Sequence, residues 1–388
     1  MWLSNATLVG PDRVYSGALR IADGRIEEIT EDPVEGVAVD CQGMLLTPGL
    51  IDMHGDMIEQ ELEPRPRVHF PTEVALNALD LRLAAAGVTT AYAAVSFTAG
   101  ASQGQRRSFD HTSDVIRALG AAKDRLRIDH RVHARFDITF EDALSVVEAL
   151  IEDGAVDLIS LMDHTPGQGQ YRDLERFAAQ LAYSRGIDHE EAEQLVADKI
   201  VDRTRPAEVI ATTLQEIAAL CARSGVPMAS HDDDTAEKVA LMAGLGVRIS
   251  EFPVSDEAAA ACRDHGLVTA MGAPNALRGL SYSGNLSARE AHAAGYLDIL
   301  AADYHPAALL PALLILAETD PNGLPGALAM ATDTPARALG LSDRGRLEPG
   351  LRADLAIFDP ASSGRCVAAW SAGRMVHFDG TLQMPLPL

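Results

Sequence analysis

Through the middle of the chain, short apolar runs alternate with stretches in which apolar residues recur every three or four positions. Continuous apolar runs suit strands buried on both faces, and a 3.6-residue period suits helices laid against them. The runs place strands at 46–53, 89–96, 127–136, 156–162, 227–230, 247–252, 267–271 and 297–302. Helical periodicity falls between most of them, at 72–86, 141–152, 206–224, 234–243, 256–265 and 288–294. Eight such strands with intervening helices predict an α/β fold, a parallel sheet closed into a (β/α)8 barrel. The chain ends read differently, as short strands joined by turns at 7–9, 18–21 and 25–29, then at 354–358, 366–370 and 374–377. A polar excursion over 173–202 interrupts the rhythm and reads as extra helices or a lid, and 100–108 reads as a loop.

Composition narrows the class. With 388 residues, 47% of them hydrophobic, the chain can bury a large core, yet no apolar run reaches the length of a membrane span. No basic region followed by an apolar stretch opens the sequence, and the four cysteines (41, 221, 262, 366) stand singly without metal or disulfide spacing. The expected location is cytoplasmic. A net charge of −24 argues against nucleic acid and acidic membrane surfaces as partners, while leaving room for a small anionic substrate whose charge bound cations could offset. A homo-oligomer is compatible with this composition.

The chemistry gathers where the predicted strands end. In Pro48-Gly49-Leu50-Ile51-Asp52-Met53-His54-Gly55-Asp56, a strand finishes in two metal-capable side chains two residues apart, which project from one face. His133, Arg135 and Asp137 alternate along the end of the third strand; His164 follows the fourth, His231 the fifth and Asp303 the eighth. The C-terminal ends of barrel strands are where catalytic groups collect. Three imidazoles (His54, His164, His231) and three carboxylates (Asp56, Asp137, Asp303) could hold two divalent metal ions, zinc or manganese by donor type. Asp303 is the expected general base and acid as well as a ligand. Asp137 is the expected bridging carboxylate, because strand four offers no lysine for carbamylation; Glu251 stands in reserve with a hydrogen-bonding role, and His133 lies deeper, behind the ligands.

Substrate contacts are expected from the polar, glycine-punctuated segment after strand seven, through Asn275, Arg278, Ser283 and Asn285, and from Arg65, with Arg67 beside it. Pro166-Gly167-Gln168-Gly169-Gln170 lacks the lysine and hydroxyl of a phosphate-binding P-loop. Neither a Gly-x-Ser-x-Gly elbow nor an early dinucleotide fingerprint is present.

These motifs, together with Thr334-Pro335-Ala336-Arg337-Ala338-Leu339-Gly340-Leu341 and Gly350-Leu351-Arg352-Ala353-Asp354-Leu355, resemble the amidohydrolase superfamily over essentially the whole chain. The resemblance implies a distorted TIM barrel at 46–344 and a small β-sandwich domain built from 1–45 and 345–388. More narrowly, Leu161-Met162-Asp163-His164-Thr165-Pro166-Gly167-Gln168, Ala229-Ser230-His231-Asp232-Asp233, Met271-Gly272-Ala273-Pro274-Asn275, Ser283-Gly284-Asn285 and Asp303-Tyr304 resemble members that cleave a ribose 5-triphosphate to the 5-phosphate and pyrophosphate in phosphonate catabolism by the carbon–phosphorus lyase route. That likeness adds Gln168 and Asp232 to the expected substrate contacts and makes a small phosphorylated molecule the expected substrate. The alternative is a carbon–nitrogen hydrolase such as an N-acyl sugar deacetylase. The chain departs from the resemblance at Asp137, where glutamate is expected, at Gly169 for arginine, at Tyr282 for histidine and at Arg67 for glycine.

Overall fold

The computed structural model describes residues 1–34, 38–65, 68–97, 109–140, 142–281 and 284–383. Eight parallel strands form one sheet in chain order: Leu50–Gly55, Val88–Phe97, Asp129–Asp137, Leu158–Met162, Met228–His231, Ile249–Glu251, Val268–Gly272 and Ile299–Ala301. The sheet closes where its last and first strands meet. The Asp303 N–H donates to the His54 carbonyl at 2.9 Å, the Asp56 N–H donates to the Asp303 carbonyl at 2.8 Å, and the Ala302 N–H donates to Asp52 Oδ1 at 2.8 Å.

Both faces of this sheet are dry, which explains the continuous apolar runs. All ten residues of Val88–Phe97 are buried. Ile51, Met53, Tyr92, Leu158, Ala229, Ile249, Ala270 and Ile299 fill the interior, while a larger cluster lies between the sheet and its helices. Helix starts follow side-chain caps: Thr235, Ser255 and Ser287 each accept a backbone N–H of the first turn, and Ser287 with Glu290 forms a capping box.

The two chain ends build a second sheet. Its strands run in the spatial order Arg374–Phe378, Arg365–Ser371, Leu355–Asp359, Leu45–Pro48, Trp2–Val9, Val14–Ala22 and Arg25–Thr30, with Ala38–Asp40 also beside Trp2–Val9. The fully buried Trp370 sits in its core with Leu3, Leu8, Leu19 and Leu46. One strand expectation is corrected here: residues 46–48, read as the start of the first barrel strand, pair instead with Leu8 and with Leu355–Ile357. Gly49 turns the chain between the two sheets; a Cβ there would lie 2.8 Å from that of Thr89, so the barrel wall leaves no room for a side chain.

The excursion at 173–202 forms two helices, Leu174–Arg185 and His189–Arg203, capped by Asp173 and Asp188 and separated by Gly186 at φ +66°. They pack on one another through Ala178, Ala192 and Val196. The loop expected at 100–108 lies outside the described residues. No helix among the described residues is long and apolar enough to cross a membrane.

Candidate active site

A cavity of about 490 Å³ opens over the C-terminal ends of the barrel strands. Its floor carries His54, Asp56, Arg135, His231, Asp232 and Asp303; its walls include Gln170, Phe252, Asn275, Arg278, Asn285 and Tyr304. Asp232 (φ +53°) and Phe252 (φ +54°), immediately after strands five and six, and Asp303 (φ +56°), two residues after strand eight, adopt left-handed backbone. Aspartate visits this region at modest cost, but phenylalanine does so against steric preference, and such strain concentrates where side chains must be aimed. Opposite Asp303 the fit is close: a Cβ on Gly272 would come 3.1 Å from Asp303 Oδ2, so the carboxylate would have to give by a few tenths of an ångström.

Two groups of buried donors meet on the floor. In one, His164, His231 and Asp232 bring a ligand atom each within 4.8 Å of one another; in the other, His54, His133 and Glu251 do the same. His54 and His231 join the groups, their ring centroids 5.5 Å apart. His231 Nδ1 and Asp232 Oδ2 approach to 3.0 Å without hydrogen-bond alignment, and both atoms, with His164 Nε2, are buried without a hydrogen-bond partner. Buried polar atoms left unmatched are costly, so convergent orphans of this kind fit a cation they would share. The set of imidazole nitrogens and carboxylate oxygens also matches divalent transition metals.

His54 is held by a carboxylate from behind. Its Nδ1 lies 3.2 Å from Glu251 Oε1, whose second oxygen accepts the Ser160 hydroxyl at 2.7 Å, and its Nε2 faces Asp56 Oδ1 at 3.4 Å. A carboxylate that fixes one ring nitrogen so that the other points at a site is the usual support of a metal-binding histidine. His133 Nε2 lies 3.5 Å from the same Glu251 oxygen, and neither ring nitrogen of His133 has a hydrogen-bond partner.

The electrostatics follow from burial and crowding. Burial works against the His54 cation, but the charges of Glu251 and Asp56 outweigh it and raise the ring to about 10. For His133 burial wins and lowers it to about 3 despite Glu251. Burial opposes the Glu251 charge, yet the His133 and His54 rings hold its carboxyl well below the usual range. Asp303 is pushed up to about 7 by burial and then by the Asp56 charge. Burial likewise opposes charge on Asp56, which the adjacent Arg135 and His54 nevertheless hold low.

The residues singled out in the sequence fall in different places. His54, Asp56, His231, Asp232, Asp303, Asn275, Arg278 and Asn285 line the cavity. Asp232, expected at the substrate, groups with His164 and His231 instead. Asp137, expected to bridge two metals, is engaged elsewhere: Arg203 donates to its Oδ2 at 2.6 Å and the Thr139 hydroxyl to its Oδ1 at 2.6 Å, with His164 Nδ1 at 3.9 Å. The floor position between Asp56 and His231 is taken by the Arg135 guanidinium, which donates to Asp56 at 2.7 Å and lies 3.5 Å from His231 Nε2. Gln170 rather than Gln168 lines the cavity, because Gly167 (φ +103°) and Gly169 (φ +54°) turn the segment between them. Arg65 is exposed, outside the cavity lining, and pairs through its backbone with Val68. Arg67, Tyr282 and Ser283 lie outside the described residues.

Arg203 was not singled out in the sequence. It is 6% exposed, and it fastens the helix His189–Arg203 to the barrel through a fully buried carboxylate. Arg203→Ala is expected to destabilise the fold by about 3 kcal/mol, the scale of breaking a buried ion pair by removing one partner. Denaturant unfolding checks this; a change below about 1 kcal/mol would show that the pair does not secure the helix.

A parallel barrel with buried imidazoles and carboxylates at the C-terminal ends of its strands defines the class of barrel hydrolases that use divalent metals. Residues 213–377 match the model of the amidohydrolase family. The chain is 36% identical over 362 residues to the alpha-D-ribose 1-methylphosphonate 5-triphosphate diphosphatase of Escherichia coli strain K12, covering 92% of this chain and 94% of that protein. The chain belongs to the amidohydrolase family, and it is a hydrolase. Solved structures sharing the fold include a 5-methylcytosine deaminase from Klebsiella pneumoniae (TM-score 0.66, 17% identity, 100% of both chains) and a beta-aspartyl dipeptidase from Fervidobacterium islandicum (TM-score 0.64, 17% identity, 100% of this chain and 99% of that one).

Proposed function

We propose that the protein hydrolyses alpha-D-ribose 1-methylphosphonate 5-triphosphate to the 5-phosphate and pyrophosphate, as a step of phosphonate catabolism by the carbon–phosphorus lyase route. The observation that carries this reading is the 36% identity, spread over 92% of the chain, with the protein of that name. In this reading two divalent cations, zinc or manganese, are held by His54, Asp56, His164, His231, Asp232 and Asp303. Cations bound there would supply Lewis-acid activation of water and of the phosphoryl group.

The chain's own residues supply the rest. Asp303 takes a proton from the attacking water at a carboxylate oxygen, for which its place in the cavity beside Gly272 suits it. Glu251 keeps the His54 ring fixed, and Arg135 neutralises Asp56. Arg278, exposed on the cavity wall, meets phosphate oxygens, with Asn285 beside it. Water adds at the α-phosphorus, the bond to the bridging oxygen breaks, and pyrophosphate leaves with that oxygen.

Two measurements test the substrate class. Pyrophosphate release from the ribose 5-triphosphate is expected to exceed acetate release from N-acetylated sugar phosphates, and Arg278→Ala is expected to lower kcat/KM on the triphosphate by about ten- to a hundredfold, the scale of one lost charge-assisted hydrogen bond. Rapid acetate release without pyrophosphate would replace the diphosphatase reading with that of a carbon–nitrogen hydrolase.

A further inference from the structure

The two-helix excursion brings the side chain of Arg176 against Gly284, the residue before Asn285 of the cavity wall. Gly284, at φ +68°, is where Arg176 packs: a Cβ would lie 2.5 Å from Cζ and 2.7 Å from Nη2 of Arg176, so the guanidinium would have to move. The guanidinium of Arg176 therefore lies against Gly284, which precedes the cavity-lining Asn285 in the chain. Arg176 is itself exposed, so its outer face is open to a ligand.

The position of Arg176 is fixed by attachments on either side of it. Ahead of its helix, the Gly169 N–H donates to Asp234 Oδ2 at 2.8 Å; after the second helix begins its last turn, Arg203 grips Asp137. Between these points Tyr171 and Phe177 stack with centroids 4.2 Å apart, and Lys199 stands over both rings at 5.5 and 5.2 Å. Burial, then the charges of Arg203 and Arg185, lowers Lys199 to about 8. Among the described residues neither Arg176 nor Lys199 is paired with a carboxylate, in a protein whose net charge is −24. An exposed guanidinium without a carboxylate partner, next to a cavity wall, marks a place where an anion is expected.

We propose that Arg176 binds the terminal phosphates of the substrate, so that the helical excursion and the loop carrying Arg278 hold the polyphosphate from two sides. This rests on the diphosphatase reading and assigns it a substrate-binding residue outside the barrel. It also accounts for Gly284: a side chain there would push the guanidinium off the loop and away from the cavity.

The test compares the metal-loaded wild type with Arg176→Ala, Arg176→Lys and, as a remote control, Arg223→Ala, whose side chain pairs with Glu148 on the surface. Steady-state kinetics on the ribose 5-triphosphate are read beside inhibition and direct calorimetric binding of pyrophosphate. Arg176→Ala is expected to raise KM and weaken pyrophosphate binding by about tenfold with kcat within about threefold, and Arg176→Lys to restore most of the loss. A purely structural role would lower kcat or metal content without that split and would not be rescued by lysine, and this result overturns the proposal. So does a KM and a pyrophosphate affinity within about twofold of wild type. If the wild type itself neither cleaves the triphosphate nor binds pyrophosphate, the underlying diphosphatase reading falls, an outcome separate from a silent Arg176 in an active diphosphatase.

Discussion

Asp303→Asn is expected to slow turnover at least about a hundredfold while the fold and most of the bound metal are retained. The magnitude is that of a positioned acid or base in proton transfer. Three observations single out this carboxylate. Its backbone is fixed to the first barrel strand by hydrogen bonds in both directions, to the His54 carbonyl and from the Asp56 N–H. Its left-handed φ of +56° sets the side chain close over Gly272, where a Cβ would come 3.1 Å from Oδ2. Its carboxyl lines the cavity together with His54 and Asp56. Asparagine keeps the shape and one oxygen donor but cannot accept a proton, so ligand and proton-transfer roles separate when metal content and kcat are measured on the same preparation. Turnover near wild type at neutral pH would remove Asp303 from the proton-transfer role.

The barrel was legible in the sequence because parallel strands buried on both faces read as uninterrupted apolar runs, and because the segments between them carry the 3.6-residue period of helices. The boundary at Pro48-Gly49 was harder to read. The run from Leu45 to Met53 is buried in both its strands, and only tertiary pairing with the C-terminal strand 355–359 separates its first half from its second. Pro48 and Gly49 were the available signal, since that pair commonly ends or bends a strand.

At the site, sequence alternation correctly put His133, Arg135 and Asp137 on one strand, but their partners come from distant segments. Asp137 meets Arg203 across 66 residues, and nothing in the spacing distinguishes Arg203 from the other arginines of the excursion. Asp232 was expected as a substrate contact from the resemblance; its left-handed backbone turns the carboxylate back towards His231 and His164, a conformation that residue pattern alone does not specify. Glu251 was held in reserve with a hydrogen-bonding role, and it hydrogen-bonds His54 and Ser160. In each case the missing information was a backbone dihedral or a long-range partner, whereas the residue type and its strand end were already visible.

The same convergence leads to the second large effect, on metal binding. His231 stands between the two donor groups, 5.5 Å from the His54 ring, 5.9 Å from the His164 ring and 3.0 Å from Asp232 by its Nδ1. Removing it therefore takes a donor from the centre of the cluster. Wild-type protein stripped by a chelator and reloaded with zinc or manganese is expected to take up close to two ions per chain. Ions that bind only the folded state stabilise it by about 4 kcal/mol at a thousandfold excess over their dissociation constant. That gain should raise the thermal midpoint by several degrees, on the order of 5 °C or more for a chain of this size. His231→Ala is expected to lose at least one ion and most of that rise. His377→Ala, altered in the sheet formed by the chain ends, should keep both. Metal analysis and thermal unfolding of the three proteins, each with and without added metal, decide the matter: full occupancy and an unchanged rise in His231→Ala would remove His231 from the ligand set and leave the convergence of these buried polar atoms without a cation to explain it.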